Sequence, residues 1–323
     1  MTHAPLLHLF AGTALTLLTL STVARAHDNH CAAIAASVAE AGFDDTVTVT
    51  CTDSHAVITS DTYPDHEMMT GIVGTNEQVP VPADYAAPVL LQPVPGTSPL
   101  TRDAALGVAV NGVPIYDYTA GGEMTEADLA HHQARHDTYQ TGQLDVCGGH
   151  AGRGDDYHYH VKPTCMMDQM DNAGANAIIG WGFDGFPIYG DTNPDGSAIP
   201  AGTLDVCNGQ PDATFGYRYH TSPEAPYIVQ CLMGVVPGFD ALPRVRPLTL
   251  ASGGGVAPGR PPRGGVEDLV FTQTADGTRS MEYQYRGDAY FIRYAPSGTP
   301  GCYRFETRTV ANNGALVSGE YCR

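Results

Sequence analysis

LDVCGGHAGRGDDYHYHVKPTC (144–165) places His150, His158 and His160 within eleven residues and brackets them with Cys147 and Cys165. A shift of 60 lays LDVCGGHAGRGDDYHYHVKP (144–163) without a gap on LDVCNGQPDATFGYRYHTSP (204–223). Leu, Asp, Val, Cys, Gly, Tyr, Tyr, His and Pro are identical at matching positions. Upstream of each copy stands a second shared piece, VNGVPIYDY (110–118) and FDGFPIYG (183–190). The middle of the chain (106–250) is therefore read as a duplicated core, with copy one at 106–165 and copy two at 178–231. The copies differ mainly at the histidines. Where the first has His150 and His158, the second has Gln210 and Arg218.

Tyr157-His158-Tyr159-His160 reads as a strand, and a period of two puts both imidazoles on one face and both phenols on the other. His-x-His on a strand offers two nitrogens to one metal about 2 Å from each. His150 follows two glycines, and a Cys147 bridge can fold it back as a third ligand. Asp155 and Asp156 are weaker candidates, as orienting groups for an imidazole or as direct ligands. Three imidazoles without a free thiolate suit copper or zinc rather than magnesium or calcium. The competing interpretation is a buried network in which histidines and tyrosines satisfy one another. The asymmetry of the copies favours ligation, because a purely structural network would be needed in both.

Other histidines carry weaker signals. His66 is isolated in sequence but can reach the cluster in space. His220 is the second copy's counterpart of His160. His27 would become the first residue after cleavage at Ala26, pairing an α-amine with an imidazole. His132 and His136 sit at i and i+4 of a helix expected over TEADLAHHQARHDTY (125–139), capped by Thr125 with Asp128, where a solvated face is the simpler reading. Arg153-Gly154-Asp155 is taken as coincidence. No nucleophile elbow, H-E-x-x-H, phosphate loop or dinucleotide fingerprint is present, so catalytic residues are not identified and enzymatic activity is left open.

The chain has 323 residues, a formal net charge of −19 and a pI near 4.8, which argues against nucleic acid and against an anionic membrane surface. Its 37 Gly, 24 Pro and 17 Tyr point to a loop-rich, mainly β protein. Residues 1–26 read as a signal peptide: an apolar run from Leu6 to Val23 ends in Ala24-Arg25-Ala26, and no later segment approaches a membrane span. The mature chain is thus expected to be exported, periplasmic or extracellular. In that compartment eight cysteines favour disulfides. The duplication pairs Cys147 with Cys165 and Cys207 with Cys231, while Cys31–Cys51 and Cys302–Cys322 would close loops at either end.

Residues 27–105 are expected to hold a short helix (31–41) ended by Gly42, strands at 46–51 and 56–60, and a Pro-rich extended connector (76–103). A Gly/Pro linker (251–265) then precedes a C-terminal domain (266–323). Its runs DLVFTQ, RSMEYQYR, AYFIRYA, CYRFETRT and ALVSGEYC alternate at period two, as a small antiparallel sheet does.

CGGH…YHYH…PTC, with IIGWGFDGFPIYG (178–190) and LDVCNG…YRYH…PYIVQC (204–231), resembles the YHYH-domain proteins. PDH (64–66) and GVAVNGVPIYDY (107–118) look like that family's upstream blocks, so the resemblance covers roughly residues 55–235. The family is exported and named for its motif, with no established activity, so the resemblance speaks to domain and localisation more than to mechanism. Tyr217-Arg218-Tyr219-His220 departs from the motif and speaks against a symmetric two-metal arrangement. Together these features imply an exported, disulfide-stapled β protein holding one copper or zinc ion in a binding role. The alternatives are an extracellular module whose tyrosine faces bind glycan or protein, and a metalloenzyme.

Overall fold

The computed structural model describes residues 1, 20–74, 79–122, 124–151, 156–247, 249–250, 262, 266–300, 302–310 and 313–322. The signal-peptide reading falls largely, and the Gly/Pro linker almost entirely, outside these residues. Helix α1 (Leu20–Glu40) buries Ile34 and Val38, spaced i and i+4 on one face. It stops at Gly42, whose φ of +82° permits a Phe43 N–H to Val38 C=O bond of 3.1 Å, closing the helix end. Strand β1 (Thr48–Cys51) and β2 (His55–Ser60) form a hairpin, with alternate β2 residues buried as their pattern predicts.

The Pro-rich stretch is extended, but it is paired rather than a free connector. Strand β3 (Ala83–Leu90) runs antiparallel to β2 from His55↔Leu90 to Ser60↔Tyr85. On its other side Arg246–Pro247 pair at Asp84 and Ala83 and Leu90 N–H donates to the Phe183 carbonyl at 3.2 Å; Pro88, which has no N–H to give, sits between these contacts. Strand β4 (Pro95–Leu100) likewise pairs with Leu232–Gly234.

The duplication folds as one eight-stranded sheet. Copy one supplies β5 (Gly107–Ala109), β6 (Pro114–Ile115), β7 (Gly149–Ala151) and β8 (Tyr157–Tyr159). Copy two supplies β9 (Gly180–Gly182), β10 (Pro187–Tyr189), β11 (Gly209–Asp212) and β12 (Gly216–His220). The order β11-β12-β10-β9-β5-β6-β8-β7 reads the same from the centre outward in each half. At the seam Gly107 pairs with Gly182, Val108 with Trp181 and Ala109 with Gly180. The upstream pieces are offset by 73, so Val108 opposes its own repeat equivalent and the halves are related by an approximate twofold. Glycine is needed there: a Cβ on Gly107 would stand 2.5 Å from the Trp181 carbonyl oxygen, and one on Gly180 2.8 Å from that of Val108.

The helix expected over 125–139 is cut to four residues, Glu126–Leu129 (α2). Asp128 does cap Thr125 as expected. Beyond Leu129 the chain turns back, because residues 136–138 bond across to 118–120, where Ala120 N–H donates to the His136 carbonyl at 2.6 Å. Thr138 N–H donates to the Tyr118 carbonyl at 3.0 Å, and Thr119 and Asp137 form a bridge. His132 and His136 therefore do not share a helix face.

Disulfides close Cys31–Cys51, Cys147–Cys165 and Cys207–Cys231. The C-terminal strands, from Glu267–Gln273 to Leu316–Cys322, form the expected antiparallel sheet; Cys302 is disulfide-bonded and its opposite in the ladder is Cys322. This sheet is also docked. Buried Arg279 donates to the Tyr63 carbonyl (3.1 Å) and pairs with Asp65, and Tyr294 donates to Asp61 at 3.0 Å.

Candidate metal centre

The β7–β8 hairpin sets His150 directly opposite His158, and His160 follows one pleat beyond. The three rings lie on one face with centroids 4.7–4.9 Å apart. One nitrogen from each falls within 4.8 Å of the others. All three side chains are buried, at 5 %, 5 % and 3 % exposure.

Backbone carbonyls fix which nitrogen of each ring carries the proton. His150 Nδ1 meets the Gln143 carbonyl at 2.9 Å, His158 Nδ1 the Asp156 carbonyl at 3.1 Å, and His160 Nδ1 the Asp117 carbonyl. A carbonyl only accepts, so each Nδ1 donates, and Nε2 is the acceptor nitrogen of any such ring that is neutral. Burial, reinforced by His158, lowers the His150 pKa to about 3, and burial with the two neighbouring imidazoles holds His160 well below the usual histidine range. Yet the Nε2 atoms of His150 and His160 face each other at 3.0 Å. Two acceptors at hydrogen-bond distance repel unless a positive centre lies between them. Four-coordinate zinc with nitrogens at 2.0–2.1 Å spaces them by about 3.3 Å, so this geometry is already close to that of a shared ion.

The surroundings restrain the rings further. Tyr116 stacks on His158 with centroids 4.2 Å apart. The Asp156 carboxylate lies 3.3 Å from His158 Nδ1; burial opposes its charge, but His158 holds its pKa below the ordinary value. Asp156 thus acts behind the ring rather than beside Nε2. Tyr116 has one signal in the sequence, its place in the shared piece VNGVPIYDY (110–118).

His66 stands on the other face of the strand, against Tyr157 and Tyr159, and not with the three imidazoles. Its Nε2 meets Tyr159 Oη at 2.6 Å and its ring packs edge-on to Tyr157. The nearby sulfurs of Cys147 and Cys165 are spent in their disulfide and add no thiolate. Asp145 is the turn-former expected of it: Oδ1 accepts from Cys147 N–H and Gly149 N–H, and Oδ2 from Tyr157 Oη at 2.8 Å. Tyr157 and Tyr159 are fully buried.

Copy two repeats the scaffold atom for atom but not the face. Asp205 holds Cys207, Gly209 and Tyr217 as Asp145 holds their equivalents. His220 Nδ1 donates to the Gly190 carbonyl at 2.8 Å, the counterpart of His160 and Asp117. Its Nε2, however, accepts from Gln210 Nε2 (3.0 Å) and Arg218 Nε (2.9 Å). His220 therefore belongs to a separate cluster and does not join the first. Asp155 lies outside the described residues, as does the side chain of His27. His132 binds buried Asp137 at 2.7 Å, far along the chain's other turn.

No curated protein and no solved structure matches the chain. A family model does, over a range narrower than the motif blocks indicated, and it takes in His150, His158 and His160 while ending before Gln210, Arg218 and His220. That model is the one described as YHYH protein, and residues 86–199 are accordingly a YHYH domain.

Proposed function

We propose that this domain holds one transition-metal ion, copper or zinc, on His150, His158 and His160, in a binding or handling role within an exported protein. The observation that carries the reading is that a backbone carbonyl holds Nδ1 of each ring while one nitrogen from each of the three buried rings lies within 4.8 Å of the others. Second-partner orientation of this kind is what ligating imidazoles need. Burial holds the His150 and His160 pKa values low, which keeps these two rings unprotonated and ready to bind near neutral pH. Deep burial favours retention of the ion over turnover, since an exchangeable position would have to open to a substrate. Export is supported by the disulfides, which persist in oxidising compartments.

The test is elemental analysis of protein exported with its own leader, before and after dialysis against a chelator. About one equivalent of copper or zinc per chain is expected, and none in H158A/H160A. A parent that takes up neither metal on addition refutes the proposal.

A further inference from the structure

We infer that the second repeat is a metal site closed by its own cation: the Arg218 guanidinium fills the space that a metal ion takes in the first repeat. The inference rests on the proposed first site for its analogy, but its geometry is independent. The twofold places Gln210 at the position of His150, Arg218 at that of His158 and His220 at that of His160. The distance from His220 Nε2 to Gln210 Nε2 is 3.0 Å, equal to that between His160 and His150. In copy one this contact joins two acceptors. In copy two it joins an acceptor to an amide donor, and Arg218 Nε supplies a second donor at 2.9 Å.

The charge is balanced locally as well. Arg218 Nη1 pairs with Asp212 Oδ2 at 2.6 Å, and its Nη2 donates to Asn193 Oδ1 at 2.8 Å. The residue aligned with Asp212 in copy one is Gly152, so copy one has no carboxylate at that aligned position. Burial and then Arg218 lower the His220 pKa, keeping that ring neutral as an acceptor. The same scaffold thus ends in three clustered imidazoles in one half and in a cation–acceptor cluster in the other. As it stands, the second repeat takes no metal, and the chain binds one ion rather than two.

The experiment measures zinc bound per chain after equilibration with Zn(II) alone, for Q210H/R218H made in the parent and in H158A/H160A. One additional equivalent is expected relative to each background, with Asp212 released from its guanidinium to favour the incoming ion. A variant with the far-UV spectrum and melting curve of its background that gains no zinc in either overturns the inference. R218H alone restores His-x-His on the strand and serves if the double variant does not fold; its failure to gain zinc counts equally against the proposal. If the parent binds no zinc, the first-site reading fails on that measurement, and the second-site inference is still decided by whether the variant gains an equivalent.

Discussion

Replacing His150 by glutamine should have opposite effects on stability with and without metal. In the second repeat Gln210 stands at the equivalent position and donates to His220 Nε2 over 3.0 Å, and H150Q writes the same donor into the first repeat against His160 Nε2. It turns an acceptor-to-acceptor contact into a hydrogen bond, a net gain of about 1 kcal/mol. The lost His150 contact to the Gln143 carbonyl costs little, since Gln143 is only half-buried and its carbonyl can turn to water. In chelator the variant is therefore expected to be more stable than the parent by about 1 kcal/mol. With metal at a hundredfold excess over Kd the parent gains about 2.7 kcal/mol, which the variant forfeits with its ligand. The variant should then be the less stable protein by about 2 kcal/mol. Urea unfolding followed by Trp181 fluorescence, in EDTA and in excess zinc, reads both arms. Equal destabilisation of H150Q in the two conditions would refute the assigned tautomers and the metal together.

Two further outcomes follow from buried charges away from the centre. Burial raises the Asp184 pKa to about 6, opposed by the Tyr219 hydroxyl and by the amides of Gly234 and Phe186. The folded state therefore binds this proton more tightly than the unfolded chain, and the associated stability is present near pH 4 and lost as pH rises through 6, by up to about 3 kcal/mol. D184N should flatten that stretch of the urea-midpoint profile; an unchanged profile assigns the slope elsewhere. R279M should leave Asp61 and Asp65 without their cation at the junction of the N-terminal segment and the C-terminal sheet, costing about 3–5 kcal/mol. Limited proteolysis should then cut the 251–265 linker faster than in the parent, and equal cutting rates would show that the docking rests on other contacts.

Much of this was legible from the chain because it depends on local pattern. Period-two alternation in Tyr157–His160 settles that His158 and His160 share a face, and the gapless repeat settles that each copy closes one disulfide. Gly42 announces the end of α1 for the same local reason. The tertiary structure decided what sequence spacing cannot carry. The duplicated halves meet through Val108 and Trp181, a pairing over which no local rule has a say. Residues 130–138 leave their helical pattern because buried Asp137 and Thr138 find partners on the 118–120 segment, where long-range bonds outweigh a weak propensity. His66 is placed on the phenol face by the packing of a distant loop against Tyr159. Above all, the chemistry of the three imidazoles is set by the carbonyls of Gln143, Asp156 and Asp117. Every residue contributes a carbonyl, so only the folded backbone can say which ones aim at a ring and leave its other nitrogen to bind.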